Sequence, residues 1–221
     1  MIISYLCSMI KVASFTFNPF DENTFVLSDE TGEAIIIDPG CYDDSEKKTL
    51  SNYIENNKLK PVKLILTHAH IDHILGNNYV SSKYKLDLEM HAEDVELLVA
   101  APVYGQVWGI QAEPSPSPSK LLKPGDYIKF GKSELEILFT PGHSKGSVSF
   151  YSNKDKFAVV GDVLFNGSIG RTDLPGGNHP ELIKSIREKL LPLGDDVKIY
   201  CGHGPDTTIG FEKKHNPFLQ D

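Results

Sequence analysis

The sequence predicts an α/β protein, a sheet-rich sandwich flanked by helices, and three observations predict it. Short apolar, β-branched runs recur along the chain. Helix-patterned segments separate strands in the first half only. Strands then return in series before one last helix and strand. A doubly wound parallel sheet would alternate strand and helix throughout, so that architecture is not expected. The 221 residues, about 40% of them hydrophobic, are read as one folded domain over residues 9–221, with residues 1–8 as an N-terminal extension.

The elements follow in order. Lys11 to Phe17 alternates, and Thr24 to Ser28 and Ala34 to Ile37 are apolar, so three strands are expected, joined by turns at Asn18-Pro19 and Thr31-Gly32. Asp43 to Asn57 reads as a helix with Asp43, Asp44 and Ser45 as candidate caps. Val62 to Thr67 is an apolar strand, a helix is expected after Asp72, and Leu86 to Met90 is a short strand. Ala92 to Ala101 is helical, and Pro114 to Pro118 is a polar loop. Strands are expected at Tyr127 to Phe130, Ser133 to Thr140, Ser147 to Tyr151 and Phe157 to Val160. From Pro180 a helix carries Leu182, Ile183, Ile186 and Leu190 on one face. Val197 to Cys201 is the last strand, before a short tail.

The formal net charge of −8 disfavours nucleic acid and anionic membranes as partners. Three cysteines, Cys7, Cys41 and Cys201, make no disulfide framework and fit a reducing compartment. No apolar run reaches the roughly 18–20 residues of a membrane span. The first residues lack a basic leader and a small-residue cleavage site, so no signal peptide is expected, and the cytoplasm is the expected location.

The chemistry is concentrated where apolar runs end. Val62-Lys-Leu-Ile-Leu-Thr67 leads into His68-Ala-His70-Ile-Asp72-His73. Leu135 to Thr140 leads into Pro141-Gly142-His143, Phe157 to Val160 into Gly161-Asp162, and Val197 to Cys201 into Gly202-His203-Gly204. Stiff strand ends can present ligands from loops that converge on one sheet edge. His68 and His70 lie two apart, so an extended backbone points both rings the same way. Asp72 and His73 follow as the chain turns and can serve a second ion. Imidazoles and carboxylates suit zinc, iron, manganese or nickel, and carboxylates can bridge two cations. Cys201 is read as a small buried strand residue. His91, His179 and His215 are read as surface or capping histidines. Tyr104, Val107, Trp108 and Ile110 fit a substrate lid, a subunit contact or core packing equally.

Thr67-His-Ala-His-Ile-Asp-His73, Pro141-Gly-His143, Gly161-Asp162 and Gly202-His-Gly204 resemble the successive signatures of the metallo-β-lactamase superfamily. Asp38, ending Ile35-Ile-Ile-Asp38, matches its early aspartate. The resemblance spans about Lys11 to Pro205. It implies an αββα sandwich with two divalent metal ions at one edge, zinc being the expected metal and iron or manganese the alternatives. His68, His70 and His143 would hold the first ion, and Asp72, His73 and His203 the second, with Asp162 bridging. Asp38 would orient a ligand by hydrogen bond. Phe165-Asn-Gly-Ser-Ile-Gly-Arg-Thr-Asp173 is similar to a loop of glyoxalase II-type thioesterases, the short bacterial hydroxyacylglutathione hydrolase-like forms above all, and also to persulfide dioxygenases. Full-length glyoxalase II continues into a helical domain that helps hold glutathione, whereas this sequence stops 18 residues beyond His203. Weak glutathione binding and tolerance of other thiol carriers are therefore expected.

These residues suit metal-dependent hydrolysis of a small-molecule thioester. Two dications outweigh the charges of Asp72 and Asp162, so the site can generate hydroxide near neutral pH and stabilise an anionic intermediate. Arg171 would contact a substrate carboxylate in a forked pair, unless it is tied in a salt bridge to Asp173. Two alternatives stand beside this reading. One is a persulfide dioxygenase-type enzyme with one iron on His68, His143 and Asp162. The other is a lactonase or another hydrolase of the same fold.

Overall fold

The computed structural model describes residues 9–220. The expected extension over residues 1–8, and Cys7 within it, lies outside the described residues.

Two six-stranded sheets dominate. The first runs, in spatial order, β1 (Lys11–Phe17), β2 (Glu22–Ser28), β3 (Glu33–Ile37), β4 (Lys60–Ile65), β5 (Leu88–His91) and β6 (Pro118–Leu122). Its first three strands form an antiparallel meander, and β3 through β6 are parallel. The crossovers carry α1 (Asp44–Asn56), α2 (Asn77–Tyr84) and α3 (Val95–Val107). The second sheet is built from β7 (Tyr127–Phe130), β8 (Ser133–Phe139), β9 (Val148–Ser152), β10 (Phe157–Gly161), β13 (Lys198–Cys201) and β14 (Thr207–Thr208). Between β10 and β13 lie a small hairpin, β11 (Leu164–Phe165) and β12 (Ser168–Ile169), and α4 (His179–Ser185). The last helix, α5, is Ile209–His215.

The layering follows from strand periodicity. Side chains alternate across a strand, so a strand buried on both faces feeds two cores. In β3, Ala34 and Ile36 join Leu50, Ile54, Val80 and Leu98 of the helices over the first sheet, whereas Ile35 and Ile37 face the other sheet. In β10, Phe157 and Val159 enter the same inter-sheet core, whereas Ala158 and Val160 pack on Leu182, Ile186 and Leu190. Three apolar layers between four structural layers make the αββα sandwich, and central strands covered on both sides read as continuous apolar runs.

The structure differs from the sequence reading at five places, one being the hairpin of β11 and β12, where the sequence predicts no strand. The helix expected to stop at Ala101 runs through Pro102 to Val107, because burial of Leu98, Ala101 and Gly105 outweighs the lost proline N–H. The Pro114–Pro118 loop opens directly into β6. The short tail holds β14 and α5. The helix beginning near Pro180 widens into a π turn over Ile186–Leu190, which keeps Leu182, Ile186 and Leu190 buried on one core.

Candidate metal centre

Each expected ligand leaves the end of a strand. His68 and His70 follow β4, and Asp72 and His73 lie in a single 3-10 turn, Ile71–His73. His143 follows β8, Asp162 follows β10 and His203 follows β13. Ligand atoms of His68, His70 and His143 lie within 4.8 Å of one another, and so do those of Asp72, His73 and His203. Asp162 sits between the groups: its carboxylate oxygens are 3.4 Å from His143 Nε2, 3.3 Å from His73 Nε2 and 3.4 Å from His203 Nε2. His203 Nε2 is also 3.0 Å from Asp72 Oδ2. All seven expected ligands therefore converge. The approach needs Gly202, since a Cβ there would lie 2.1 Å from Asp162 Oδ1.

The rings are held from behind, which fixes the nitrogen each presents to the centre. His73 Nδ1 is 3.1 Å from Asp38 Oδ2, His143 Nδ1 is 2.7 Å from the Arg171 carbonyl, and His203 Nδ1 is 3.0 Å from the Phe20 carbonyl. His68 Nδ1 is 3.0 Å from Thr67 Oγ1. Asp38 also accepts from the Thr67 N–H at 2.7 Å and from its hydroxyl, so it braces the loop that carries His68.

These donors fit cations on two counts. His68 Nε2, His73 Nε2 and Asp162 Oδ1 are buried yet lack a hydrogen-bond partner, an arrangement native interiors avoid unless something else satisfies those atoms, and His70 faces the same cluster with Nδ1, 2.7 Å from His143 Nε2. The protonation pattern agrees. Burial, with neighbouring histidines, holds His68 well below the usual imidazole range and His70 down to about 3. Burial opposes ionisation of Asp72 and Asp162, but the surrounding histidines outweigh it and lower both. Burial likewise opposes charge on His73 and His203, yet the carboxylates raise the first well above its ordinary value and push the second up to about 10. The carboxylates thus demand positive charge, and a dication can supply it in place of protons.

Arg171 lines the cavity beside this centre. Its guanidinium also forks onto Asp173, with Nε and Nη2 each 2.8 Å from a carboxylate oxygen. Cys201 is fully buried in its strand. His91 accepts from the Glu93 N–H at a helix start, and His179 and His215 are exposed. Tyr104 and Trp108 line the same cavity, whereas Ile110 is buried.

Four residues at the centre escaped the sequence reading. Asn18, in left-handed backbone, donates to the Gly40 and Asp72 carbonyls. Asn23 donates to the Cys201 and Gly204 carbonyls around His203. Glu22 is fully buried, with Oε2 accepting from Thr24 and Oε1 unpartnered 3.9 Å from His73 Nδ1. Burial pushes its carboxyl well above the usual range. Asp94 accepts from the Ala69 N–H, the Ser144 hydroxyl and the Gly146 N–H. The available signal was polar residues opening the apolar run Thr24–Ser28, where a strand face would otherwise be hydrophobic.

Geometry and family agree. The profile of the metallo-beta-lactamase superfamily matches residues 17–203; the chain belongs to that superfamily and is a metal-dependent hydrolase. Among its relatives, a probable metallo-hydrolase, YqgX, of Bacillus subtilis is 40% identical over 88% of this chain and 90% of its own length. Hydroxyacylglutathione hydrolase GloC of Haemophilus influenzae is 39% identical over 90% of this chain and 93% of its own. Two solved structures superpose closely. The BLEG-1 B3 metallo-beta-lactamase is 36% identical with a TM-score of 0.88, covering 96% of this chain and 100% of that one. TTHA1623, in a di-iron-bound form, is 35% identical with a TM-score of 0.85, covering 94% and 100%. No described helix is long and apolar enough to cross a membrane.

Proposed function

We propose that this enzyme hydrolyses thioesters, S-2-hydroxyacylglutathione-like compounds among them, with two zinc ions in the cytoplasm. The observation that carries the proposal is the convergence of seven ligands in two groups around Asp162. The relative GloC and the Arg171 loop support the thioester assignment.

Bound ions would supply Lewis acidity toward a carbonyl oxygen and lower the pKa of water. His68, His70 and His143 would hold one ion, Asp72, His73 and His203 the other, and Asp162 would bridge them. Asp72, a lining residue of the cavity, would keep its charge beside His203, whose Nε2 lies 3.0 Å from its Oδ2, and so favour ionisation of an attacking water. Asp162, enclosed by three histidines, keeps its charge at the centre. A thiolate leaves without acid assistance, so the chain needs no further proton donor. A cysteine nucleophile is disfavoured: Cys41 and Cys201 are buried, and burial pushes Cys41 up to about 12 and raises Cys201 as well.

The test pairs metal content with turnover in the wild type, Asp72→Ala and His203→Ala. The wild type is expected to hold two metals, and either substitution to remove one together with at least ~100-fold of kcat on S-lactoylglutathione, about 3 kcal/mol. One iron per chain, oxygen uptake with glutathione persulfide and no thioester hydrolysis would replace this assignment with the dioxygenase one. Hydrolysis of a β-lactam alone would replace it with the activity named for the BLEG-1 neighbour.

A further inference from the structure

A cavity of about 380 Å³ opens beside the ligands, and its chemistry changes abruptly with distance from them. At one end stand His70, Asp72, Asp162 and His203. The rest of the wall is largely apolar, formed by Phe20, Leu97, Ala101, Tyr104, Trp108 and Phe165. Phe165 lies edge-on to His203 with centroids 6.1 Å apart, and Phe20 lies edge-on to Trp108 at 6.3 Å. The cavity falls within the size range of small-ligand sites, ~300–1,000 Å³, and a dry cavity of ~150 Å³ already takes a benzene ring. Arg171 is the single arginine or lysine among the lining residues and is forked onto Asp173.

Resting on the thioesterase reading, we propose that the cavity is an acyl pocket and that the preferred substrates carry a bulky apolar, ring-sized acyl group. A carbonyl at the ligand cluster carries two substituents one bond away, the acyl group and the sulfur, and of these the apolar acyl group matches the wall of Phe165, Ala101 and Tyr104. The other side of the carbonyl must carry the thiol carrier. A carrier bearing carboxylates finds a largely apolar wall and one guanidinium already paired with Asp173. It is therefore left in solvent past Arg171, whose side chain is half exposed. Selectivity lies in the acyl part because burial of apolar surface discriminates there, while the carrier makes few contacts that could.

The test compares two 2-hydroxyacyl thioesters of the same carrier, S-lactoylglutathione and S-mandeloylglutathione, on the zinc-loaded full chain. The phenyl ring is expected to raise kcat/KM at least tenfold, about 1.4 kcal/mol. Tyr104→Ala, which removes wall, and Ala101→Leu, which fills space, should each bring the ratio of the two substrates toward one. A wild-type ratio of one or below, or a ratio that neither variant moves, overturns the proposal. A second readout is independent of turnover. Trp108 is the only tryptophan in the chain, so its emission reports occupancy of the pocket. Phenylacetamide should shift it saturably and acetamide should not, with the phenylacetamide response weakened at least tenfold in Ala101→Leu. If neither thioester is hydrolysed, the thioesterase assignment fails and this arm alone decides the pocket: equal responses to the two amides, or none, overturn it.

Discussion

Asp94 tests whether the centre is held by the protein or merely assembled by metal. It precedes α3 at the capping position, yet its side chain does not cap the helix. Instead Oδ2 accepts from the Ala69 N–H at 3.1 Å and the Ser144 hydroxyl at 2.7 Å, and Oδ1 accepts from the Gly146 N–H at 2.6 Å. Ala69 lies between His68 and His70, and Ser144 follows His143, so one carboxylate ties together the two loops that carry the first three ligands. Gly146 makes the approach possible, since a Cβ there would lie 2.7 Å from the Asp94 Cγ. Asp94→Ala would strand two buried N–H groups. Hydrogen bonds to a charged group contribute ~1.5–3 kcal/mol each but do not add fully, so a loss of ~4 kcal/mol is expected. At ~2–4 °C per kcal/mol for a chain of this size, Tm should fall by roughly 8–16 °C. The first site should also lose ~10–100-fold in metal affinity, the usual penalty for removing a group that supports ligands. Asp94→Asn keeps the shape and one acceptor oxygen, and should fall between. Thermal denaturation by circular dichroism, with and without zinc, and titration against a competing chelator measure both effects. A Tm for Asp94→Ala within 3 °C of wild type with unchanged metal affinity would refute the reasoning.

Two further outcomes follow from other buried groups. Asp29 links the β2–β3 turn to the β7–β8 turn by accepting from Thr31, the Lys132 N–H and Ser133; burial works to raise its pKa, but these bonds outweigh it and lower it. A lowered folded pKa contributes stability that is present above the unfolded value of ~3.9 and lost as pH falls through the folded one, so Asp29→Asn should be less stable than wild type at pH 7 and approach it toward pH 3. Urea denaturation at both pH values checks this, and a gap that stays constant argues against it. In a Cys7→Ser background, Cys41 and Cys201 should resist a thiol reagent at pH 7.5 and react only on unfolding; rapid modification of either in the native protein would contradict their burial.

What could be read in advance was local. Ile35 to Ile37 or Phe157 to Val160 announce a strand because every side chain is apolar whichever face it takes, and the ligands announce themselves because they stand next to such runs. What could not be read depends on contacts across the chain. Pro102 and Gly105 argue for a helix end until the buried face of α3 is seen. Lys120 and Leu121, in β6, are exposed and carry no strand pattern; their strand exists because β5 supplies a parallel edge. Asp94 reads as one residue of the helix expected over Ala92 to Ala101, and Asn18 as half of an Asn-Pro turn, because the groups they serve are remote in sequence.

Strand direction explains both the residues found and those missed. β3, β4 and β5 are parallel, so Asp38, the His68–His73 loop and Asp94 all emerge at one edge of the first sheet. In the second sheet β10 and β13 are parallel, and β8, two antiparallel steps from β10, runs the same way, so His143, Asp162 and His203 emerge together. These residues follow strands, which is where the histidine motifs direct attention. β2 runs antiparallel to β3, however, and its beginning therefore arrives at that same edge. Asn18, Glu22 and Asn23 stand there for that reason, ahead of an apolar run instead of behind one. The two edges are joined at this point: the Asn23 N–H donates to the Gly202 carbonyl at 2.7 Å, and the backbones of Glu22 and His203 pair antiparallel. A polar residue at the start of an antiparallel neighbour thus belongs to the same site as ligands at the ends of the parallel strands. In this chain those starting residues hold the Asp72 and His203 loops in place.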